Sequence, residues 1–441
     1  MKIKDPLTSQ LTDELRVDSQ VLEDDKKNLY DIIFNNGDKT PDCNLKKNYI
    51  HLGKKIDEWW KAQGNSASEL NRLILCLLDQ VVLLPIHCGS EDDALTIFET
   101  INNRGMSLTD ADIFKAKLHS AAREEKEKFV QQWKKLSNHE WLFRILMHIY
   151  RAKEGDSGKE IALRSYFTST NNNNRLSDWK DVMKCLKMIN YIETFWDPTT
   201  KINILRQILS TYPNYYWNFP LYVYLHKYGD YDGEEFDLPE DRIHGFHELI
   251  DNTVKYFYLK GIVYNSVNAV KDTVFKVCVG IEKDLDYLAD YKRNISSNDI
   301  EEFYRRLQNR QYGRYLRGLV LLAAYLNPNQ TQEDFQDFMF GNYHIEHILP
   351  KKWNNYDGWD EETWWQDLNI LGNLIPLEYR LNINAKNEFF SRKQEVYTKS
   401  LVQDAKDLLE LKEWTPDTLN NKQNEKLKRI EQFFVFDKPV E

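Results

Sequence analysis

Apolar residues recur at intervals of three and four along most of this chain, a spacing that predicts helices with one buried face. The clearest stretches are residues 52–60, 141–150, 202–212 and 303–326. Glycine and proline, which most often interrupt helices, number only 17 and 12 among 441 residues. Gly313 and Gly318 argue against one unbroken helix in the last stretch. The pattern as a whole predicts a mainly α fold.

Length predicts a multi-domain helical protein. A chain of 441 residues corresponds to roughly two to three domains. We place the boundaries so that residues 1–125, 126–295 and 296–441 form three regions, the middle one helical and rich in aromatic residues. One short apolar run, residues 81–86, has the β-branched composition of a buried strand, with Pro85 near its end. The tail of a helix that begins near Leu70 explains the same run equally well.

Composition indicates an intracellular protein. The five cysteines are dispersed, so neither a disulfide framework nor a zinc knuckle is expected. The N-terminus lacks the apolar run of a signal peptide, and the most apolar stretch, residues 73–86, is shorter than the ~20 residues of a membrane helix. We therefore expect a cytoplasmic protein without a membrane partner. The net charge of −10 argues against a protein that coats nucleic acid, although a local basic groove or a bound metal can still bring DNA to an acidic chain.

A cluster of chemically useful residues lies in the last region. Residues 343–350 read Tyr-His-Ile-Glu-His-Ile-Leu-Pro, which predicts a short strand carrying Glu346 and His347 side by side. These two side chains would point to opposite faces of an ideal strand, so a twist or bulge would be needed to bring both to one site. A turn with Asn373 then leads into a second strand, and a helix begins near Asn382. Two strands and a helix make a ββα unit.

The order of these residues resembles the HNH nuclease motif. The resemblance implies that His347 is the general base that deprotonates the attacking water, and that Glu346 and Asn382 are ligands of one divalent metal, Mg²⁺ or Mn²⁺. It also implies that Asn373 ties the loop and orients the histidine. Oxygen ligands suit a hard cation, and a histidine can act as a base at neutral pH. Many HNH sites carry Asp where Glu346 stands, and Asn384 or Asn387 could replace Asn382 as the helix ligand.

A longer resemblance extends beyond this motif. Residues 345–350 and 371–374, followed by a further series of single residues, resemble the C-terminal nuclease domain of GmrSD-type restriction enzymes. That series consists of Asn382, Phe390, Lys393, Tyr397 and Ser400. Arg392 and Lys393 could contact DNA phosphates from their helix. A solvated helix face is an equally good interpretation of these two residues.

A second motif lies in the first region. Residues 90–93 and 109–112 both carry the Ser/Thr-x-x-acid pattern of a helix start, which predicts a helix over about 91–102 and another after Thr109. Residues 98–105 resemble the Phe-x-x-x-Asn-x-Arg-Gly signature of the ParB-like, GmrS-type domain of the same enzymes. The resemblance implies that Asn102 and Arg104, and less directly Asp112 and Lys115, contact nucleotide or DNA. A structural turn in which Arg104 pairs with Asp112 or caps backbone carbonyls is the alternative.

One part of that family pattern is missing. The Asp-Gly-Gln-Gln-Arg motif, to which nucleotide hydrolysis is attributed in the family, does not occur in this sequence. We therefore interpret residues 1–125 as a partial GmrS-type domain: either the chain is truncated, or a separate polypeptide supplies the missing part. Whether a nucleotide binds is left open.

These observations predict a metal-dependent HNH DNA endonuclease of a restriction or phage-defence system. The family resemblance suggests modified DNA as its substrate. The alternative is a non-catalytic subunit that binds DNA or a partner and carries an inert nuclease module, which the acidic balance and the incomplete first region would favour. A third interpretation, a nucleotide-hydrolysing regulator, is disfavoured by the missing motif.

Overall fold

The computed structural model describes residues 2–4, 11–15, 23–82, 97, 109–169 and 175–436, with side chains from residue 26 onward. It divides into two compact units. One contains residues 1–107 with 124–130, and the other contains residues 108–123 with 131–441. Within the described residues, no helix combines the length and apolar character needed to cross a membrane. The domain boundaries expected near residues 125 and 295 stay predictions.

The first unit begins with two short antiparallel strands, β1 (Lys2–Lys4) and β2 (Leu11–Leu15). Three helices follow: α1 (Glu23–Asn35), α2 (Asn44–Ala62) and α3 (Ala67–Asp79). The hydroxyl of Ser66 accepts a hydrogen bond from the backbone N–H of Glu69 and so caps the start of α3. Val81 and Val82 follow α3 in neither helix nor strand, and the rest of the 81–86 run lies outside the described residues.

The second unit is a helical assembly, which confirms the prediction of a mainly α fold. Its helices before the last region are α4 (Asp110–Ala121), α5 (Lys126–Trp133, which begins in the first unit), α6 (His139–Glu154), α7 (Leu163–Thr168), α8 (Trp179–Thr194), α9 (Thr200–Ser210), α10 (Asn218–Tyr228), α11 (Glu240–Tyr264), α12 (Lys271–Glu282), α13 (Tyr287–Arg293), α14 (Ser297–Gln308), α15 (Leu316–Tyr325) and α16 (Gln332–Phe340). Two two-residue strands, β3 (Asp230–Tyr231) and β4 (Phe236–Asp237), pair between α10 and α11. The long helix α11 lies in the core, and its residues are buried without interruption from Tyr256 to Val263.

The predicted helical stretches are found where the apolar spacing placed them. Residues 52–60 lie in α2, residues 141–150 in α6, and residues 202–210 in α9. The stretch 303–326 is broken, as its glycines indicated. Gly313 adopts φ +54°, a backbone conformation that favours glycine, and begins a short 3-10 turn between α14 and α15. The four cysteines among the described residues are free thiols.

The last region contains a pair of strands followed by a helix. Strand β5 (Tyr343–His347) runs antiparallel to β6 (Leu374–Glu378), and helix α17 (Glu361–Asp367) lies between them in the chain. The strands pair residue by residue, from Tyr343 opposite Glu378 to His347 opposite Leu374, so no bulge interrupts this pair. Helix α18 (Tyr379–Ala385) begins directly after β6. The remaining helices are α19 (Phe390–Tyr397), α20 (Gln403–Lys406) and α21 (Pro416–Phe433).

Helix α21 supports the turn that leads into β6. Lys426 donates hydrogen bonds to the carbonyls of Leu371 (3.2 Å) and Leu374 (2.6 Å). Gln423 accepts the backbone N–H of Gly372 at 2.7 Å. A Cβ atom at Gly372 would lie 2.7 Å from the carbonyl oxygen of Leu419, so only glycine lets the turn approach the helix this closely. Contacts from α21 therefore fix the position of the turn that carries Asn373.

Candidate active site

The carboxylate of Glu346 is buried between three donors. Glu346 is 5% exposed on β5. Its Oε2 accepts a hydrogen bond from the side-chain amide of Asn382 on α18, at 3.0 Å. Its Oε1 accepts from the ammonium of Lys393 at 2.7 Å and from the hydroxyl of Tyr397 at 3.2 Å. Lys393 and Tyr397 stand four residues apart on one face of α19, and we call these two donors the Lys393–Tyr397 clamp.

Lys393 lies inside the site rather than on a DNA-facing surface. Its side chain is 1% exposed, and its ammonium also donates to the carbonyl of His347 at 2.5 Å. Burial lowers the pKa of Lys393, and the Glu346 carboxylate opposes that shift. The prediction that Lys393 contacts phosphates from the helix surface does not fit this position. The neighbouring residue Arg392 is exposed and forms an ion pair with Glu388 one turn earlier, as expected for a solvated face.

The imidazole of His347 is half-buried at the end of β5. Its Nε2 lies 3.0 Å from the side-chain oxygen of Asn369, so an N–H on Nε2 donates to Asn369 and leaves the lone pair on Nδ1. Nδ1 is buried and has no hydrogen-bond partner among the described residues. Burial lowers the pKa of His347 to about 4. The contact with Asn369 raises this pKa, while Lys351 and Lys393 lower it. His347 is therefore neutral at pH 7.

Asn373 joins the two ends of the loop between the strands. It is fully buried, and its side-chain oxygen accepts the backbone N–H of Leu349 at 2.7 Å. Its amide donates to the carbonyls of Leu368 (2.8 Å) and Leu349 (3.4 Å). These contacts tie the loop, which is one of the two roles expected of Asn373. The side chain bonded to the His347 ring is that of Asn369, which no motif in the sequence indicated.

Few protein oxygens are available for a cation. Among the described residues, no group of three or more His, Cys, Asp or Glu side chains could hold a metal. Glu346 and Asn382, however, lie side by side. The two ends of an amide have nearly the same shape. Turning the Asn382 amide over would therefore place its oxygen beside Oε2. Mg²⁺ is often held by one or two protein oxygens, with water and phosphate completing its shell. The residues present fit such an ion.

The structure distinguishes between the three asparagines that could supply the metal ligand on the helix. Asn382 contacts Glu346, whereas Asn384 and Asn387 are exposed. The two expected metal ligands are thus brought together. The ring of His347 points to Asn369, and its backbone carbonyl shares the ammonium of Lys393 with Glu346.

Comparison with known families covers both ends of the chain. Residues 3–119 match the sequence model described as GmrSD restriction endonuclease, N-terminal domain. Residues 296–429 match the one described as GmrSD restriction endonucleases, C-terminal domain. The chain belongs to the GmrSD restriction endonuclease family. Membership of GmrSD implies endonuclease activity in a restriction system. A search of the curated proteins found no significant match.

Every residue of the site lies within the GmrSD C-terminal match. Those of the first-region signature lie within the N-terminal match, but Asn102 and Arg104 are outside the described residues. The helix predicted after Thr109 is confirmed as α4, with a capping box in which Asp112 accepts the backbone N–H of Thr109 at 3.1 Å. The carboxylate of Asp112 thus has a structural role, while Lys115 is exposed. Nucleotide or DNA contacts by these GmrSD residues stay predictions.

Proposed function

We propose that this GmrSD chain is a metal-dependent HNH DNA endonuclease that acts on modified DNA. The observation that carries the proposal is the contact between Glu346 and Asn382, at 3.0 Å, on a strand whose next residue is the neutral His347. The strand–strand–helix order of β5, β6 and α18 supports it, as does the family membership. Modified DNA as the substrate rests on the family resemblance.

His347 is the proton acceptor in this proposal. Its pKa of about 4 keeps the imidazole unprotonated at neutral pH, and the lone pair on Nδ1 is not used by another described residue. A positioned base of this kind typically accelerates a reaction by roughly 10²–10⁴-fold. Asn369 holds the ring in one tautomer through Nε2, and Asn373 holds the backbone that follows the histidine. Both are positioning residues.

Glu346 and Asn382 would hold the metal. A bound Mg²⁺ or Mn²⁺ supplies stabilisation of negative charge on the phosphate. Glu346 is longer than the aspartate of many HNH sites, and the Lys393–Tyr397 clamp fixes the position of its carboxylate. A separate polypeptide forms no part of the proposal, since the comparisons do not support such a partner, and the proposed reaction needs no nucleotide.

The test is cleavage of DNA by the purified full chain. Plasmid and linear DNA, with and without modified bases, are incubated with Mg²⁺ or Mn²⁺, and with EDTA as a metal-free control. We expect cleavage that needs the metal and that is faster on modified DNA. His347→Ala should slow it roughly 100-fold or more. His244→Ala, an exposed histidine on α11, is the matched control and should cut normally.

Two outcomes would overturn the proposal. The first is a His347→Ala chain that keeps its native circular dichroism spectrum and cuts at the wild-type rate. The second is a wild-type chain that binds DNA but cuts none of the substrates with either metal, which would favour the non-catalytic alternative.

A further inference from the structure

The two oxygens of the Glu346 carboxylate have different surroundings. Oε1 accepts two hydrogen bonds, from Lys393 at 2.7 Å and from Tyr397 at 3.2 Å. Oε2 accepts one, from Asn382 at 3.0 Å. The donors on Oε1 are an ammonium, which has no lone pair to offer a metal, and a phenol, which directs its proton at Oε1. The donor on Oε2 is an amide, which can present its oxygen instead.

The clamp on Oε1 is fixed in place. Tyr397 is fully buried and Lys393 is 1% exposed. The ammonium is also bonded to the carbonyl of His347, which holds it in place. To free Oε1 for a metal, the ammonium would have to break its buried ion pair with the carboxylate. Such a rearrangement is costly, because it would leave a charge unpaired in a buried position. Phe390, which packs against Trp414, anchors the same face of α19.

A cation can therefore meet only Oε2. Divalent metals differ in how often they bind both oxygens of one carboxylate. Ca²⁺ takes six to eight oxygen ligands and commonly binds both oxygens of a carboxylate, whereas Mg²⁺ takes six in a near-octahedral shell and keeps several waters. Restriction to one carboxylate oxygen thus penalises Ca²⁺ more than Mg²⁺ or Mn²⁺. The positive charge of Lys393 also weakens the binding of every divalent ion.

We propose that the Lys393–Tyr397 clamp selects the metal of this site, by limiting Glu346 to a single coordinating oxygen and so favouring Mg²⁺ and Mn²⁺ over Ca²⁺. The proposal rests on the proposed function, in which Glu346 is a metal ligand. It assigns to Lys393 and Tyr397 a role in metal specificity, without direct contact with DNA.

Metal binding to the full chain tests the proposal without any activity assay. Free Mn²⁺ is followed by electron paramagnetic resonance, and Ca²⁺ and Mg²⁺ are added as competitors. For Lys393→Met we expect Mn²⁺ to bind about tenfold more tightly, because a repelling charge is removed. Ca²⁺ should gain more than Mg²⁺, so that the preference for Mg²⁺ over Ca²⁺ falls roughly fivefold or more.

The matched control is Lys260→Met, which removes an ammonium from another buried carboxylate, Asp299. It should leave all three metal affinities unchanged. Tyr397→Phe is the second variant, in case Lys393→Met does not fold. It frees one hydrogen bond of Oε1 and keeps the charge, so it should shift the Mg²⁺-to-Ca²⁺ preference in the same direction by a smaller factor.

The failure of this inference can be told apart from failure of the proposed function. If the wild-type chain binds Mn²⁺ and loses it on Glu346→Gln, but the folded variants of the clamp keep the wild-type metal preference, only the inference is overturned. If wild-type Mn²⁺ binding is absent, or is unaffected by Glu346→Gln, the metal site itself is refuted.

Discussion

The molecule contains two clamps of the same composition in different surroundings. On α11, Lys260 and Tyr264 stand four residues apart and donate to Asp299 at 2.9 and 2.7 Å. On α19, Lys393 and Tyr397 do the same to Glu346. Both carboxylates are buried. The same arrangement, a lysine and a tyrosine one helical turn apart, therefore binds two different buried carboxylates in this fold.

The remaining partner of each carboxylate differs. Asp299 also accepts the backbone N–H of Ser296 at 2.9 Å, within the capping box of α14. A backbone N–H can only donate, so that carboxylate is fully used in holding a helix end. Although burial raises the pKa of Asp299, its bonds to Ser296, Lys260 and Tyr264 lower it overall. The last partner of Glu346 is an amide that can turn. We infer that the nature of this third partner, a backbone N–H at Asp299 and a side-chain amide at Glu346, distinguishes a structural clamp from a candidate metal site.

Neutralising each carboxylate should give the largest contrast. Glu346→Gln removes the proposed metal ligand, and cleavage should fall by roughly a thousandfold, the loss of several kcal/mol of charge stabilisation. Asp299→Asn should leave the cleavage rate of the folded protein unchanged. The measurement is the DNA cleavage rate in Mg²⁺ below the unfolding temperature of both variants. Equal loss of cleavage in the two variants would mean that the clamps do not differ in function.

Removing the ammonium of the structural clamp should reduce stability. Lys260→Met leaves the buried carboxylate of Asp299 without its charged partner, at a cost of about 3 kcal/mol in the free energy of unfolding. Because the carboxylate of Asp299 is bonded to an ammonium, a phenol and a backbone N–H, and to no amide among the described residues that could turn its oxygen towards a cation, adding Mn²⁺ should not restore the loss. Urea unfolding with and without Mn²⁺ measures this. Recovery of stability in Mn²⁺ would show that a metal can replace Lys260, contrary to our distinction.

The chain neighbour of each carboxylate sharpens the comparison further, because Glu346 is followed by His347 and Asp299 by Ile300. Asn369→Ala removes the only described bond to the His347 ring, and cleavage should fall about tenfold as the base loses its orientation. That bond raises the pKa of His347, so its loss should move the acid limb of the pH–rate profile to lower pH. Gln366→Ala, an exposed change on α17, is the control. An unchanged profile would remove Asn369 from the site.

The pKa of His347 also links the site to acid stability. Its folded pKa of about 4 lies below the 6.5 of a free histidine, so the unfolded chain binds more protons between these values. The contribution of His347 to stability is therefore present above pH 6.5 and is lost as the pH falls towards 4. We expect the difference in unfolding free energy between wild type and His347→Ala to shrink over this range, as measured by urea unfolding. A constant difference would contradict the pKa shift.

Much of this arrangement was readable from the sequence, and the misses have physical causes. The helices and the strand–strand–helix order follow from the local spacing of apolar residues. The chemical type of four residues makes them candidates for the site: Glu346, His347, Asn373 and Asn382. The position of Lys393 depends on a partner 47 residues away. A signal existed nonetheless, because Lys393 shares the helix face of Phe390 and Tyr397 at spacings of three and four. A charged residue on a buried face implies a buried partner.

Asn369 carried a weaker signal. It lies between the buried residues Leu368 and Ile370, immediately before the turn that carries Asn373. No local rule links such a residue to a histidine 22 positions earlier, since the contact exists only once β5 and the loop are folded.

The smallest expected difference is between the two tyrosines. Tyr264 is 54% exposed, so water can replace the hydroxyl lost in Tyr264→Phe, and we expect a cost of about 0.5 kcal/mol. Tyr397 is fully buried, so in Tyr397→Phe the oxygen of Glu346 cannot gain water, and about 1.5 kcal/mol should be lost. Urea unfolding without added metal compares them. Equal costs would show that Lys393 alone satisfies Oε1, and that the hydroxyl of Tyr397 adds nothing to the clamp.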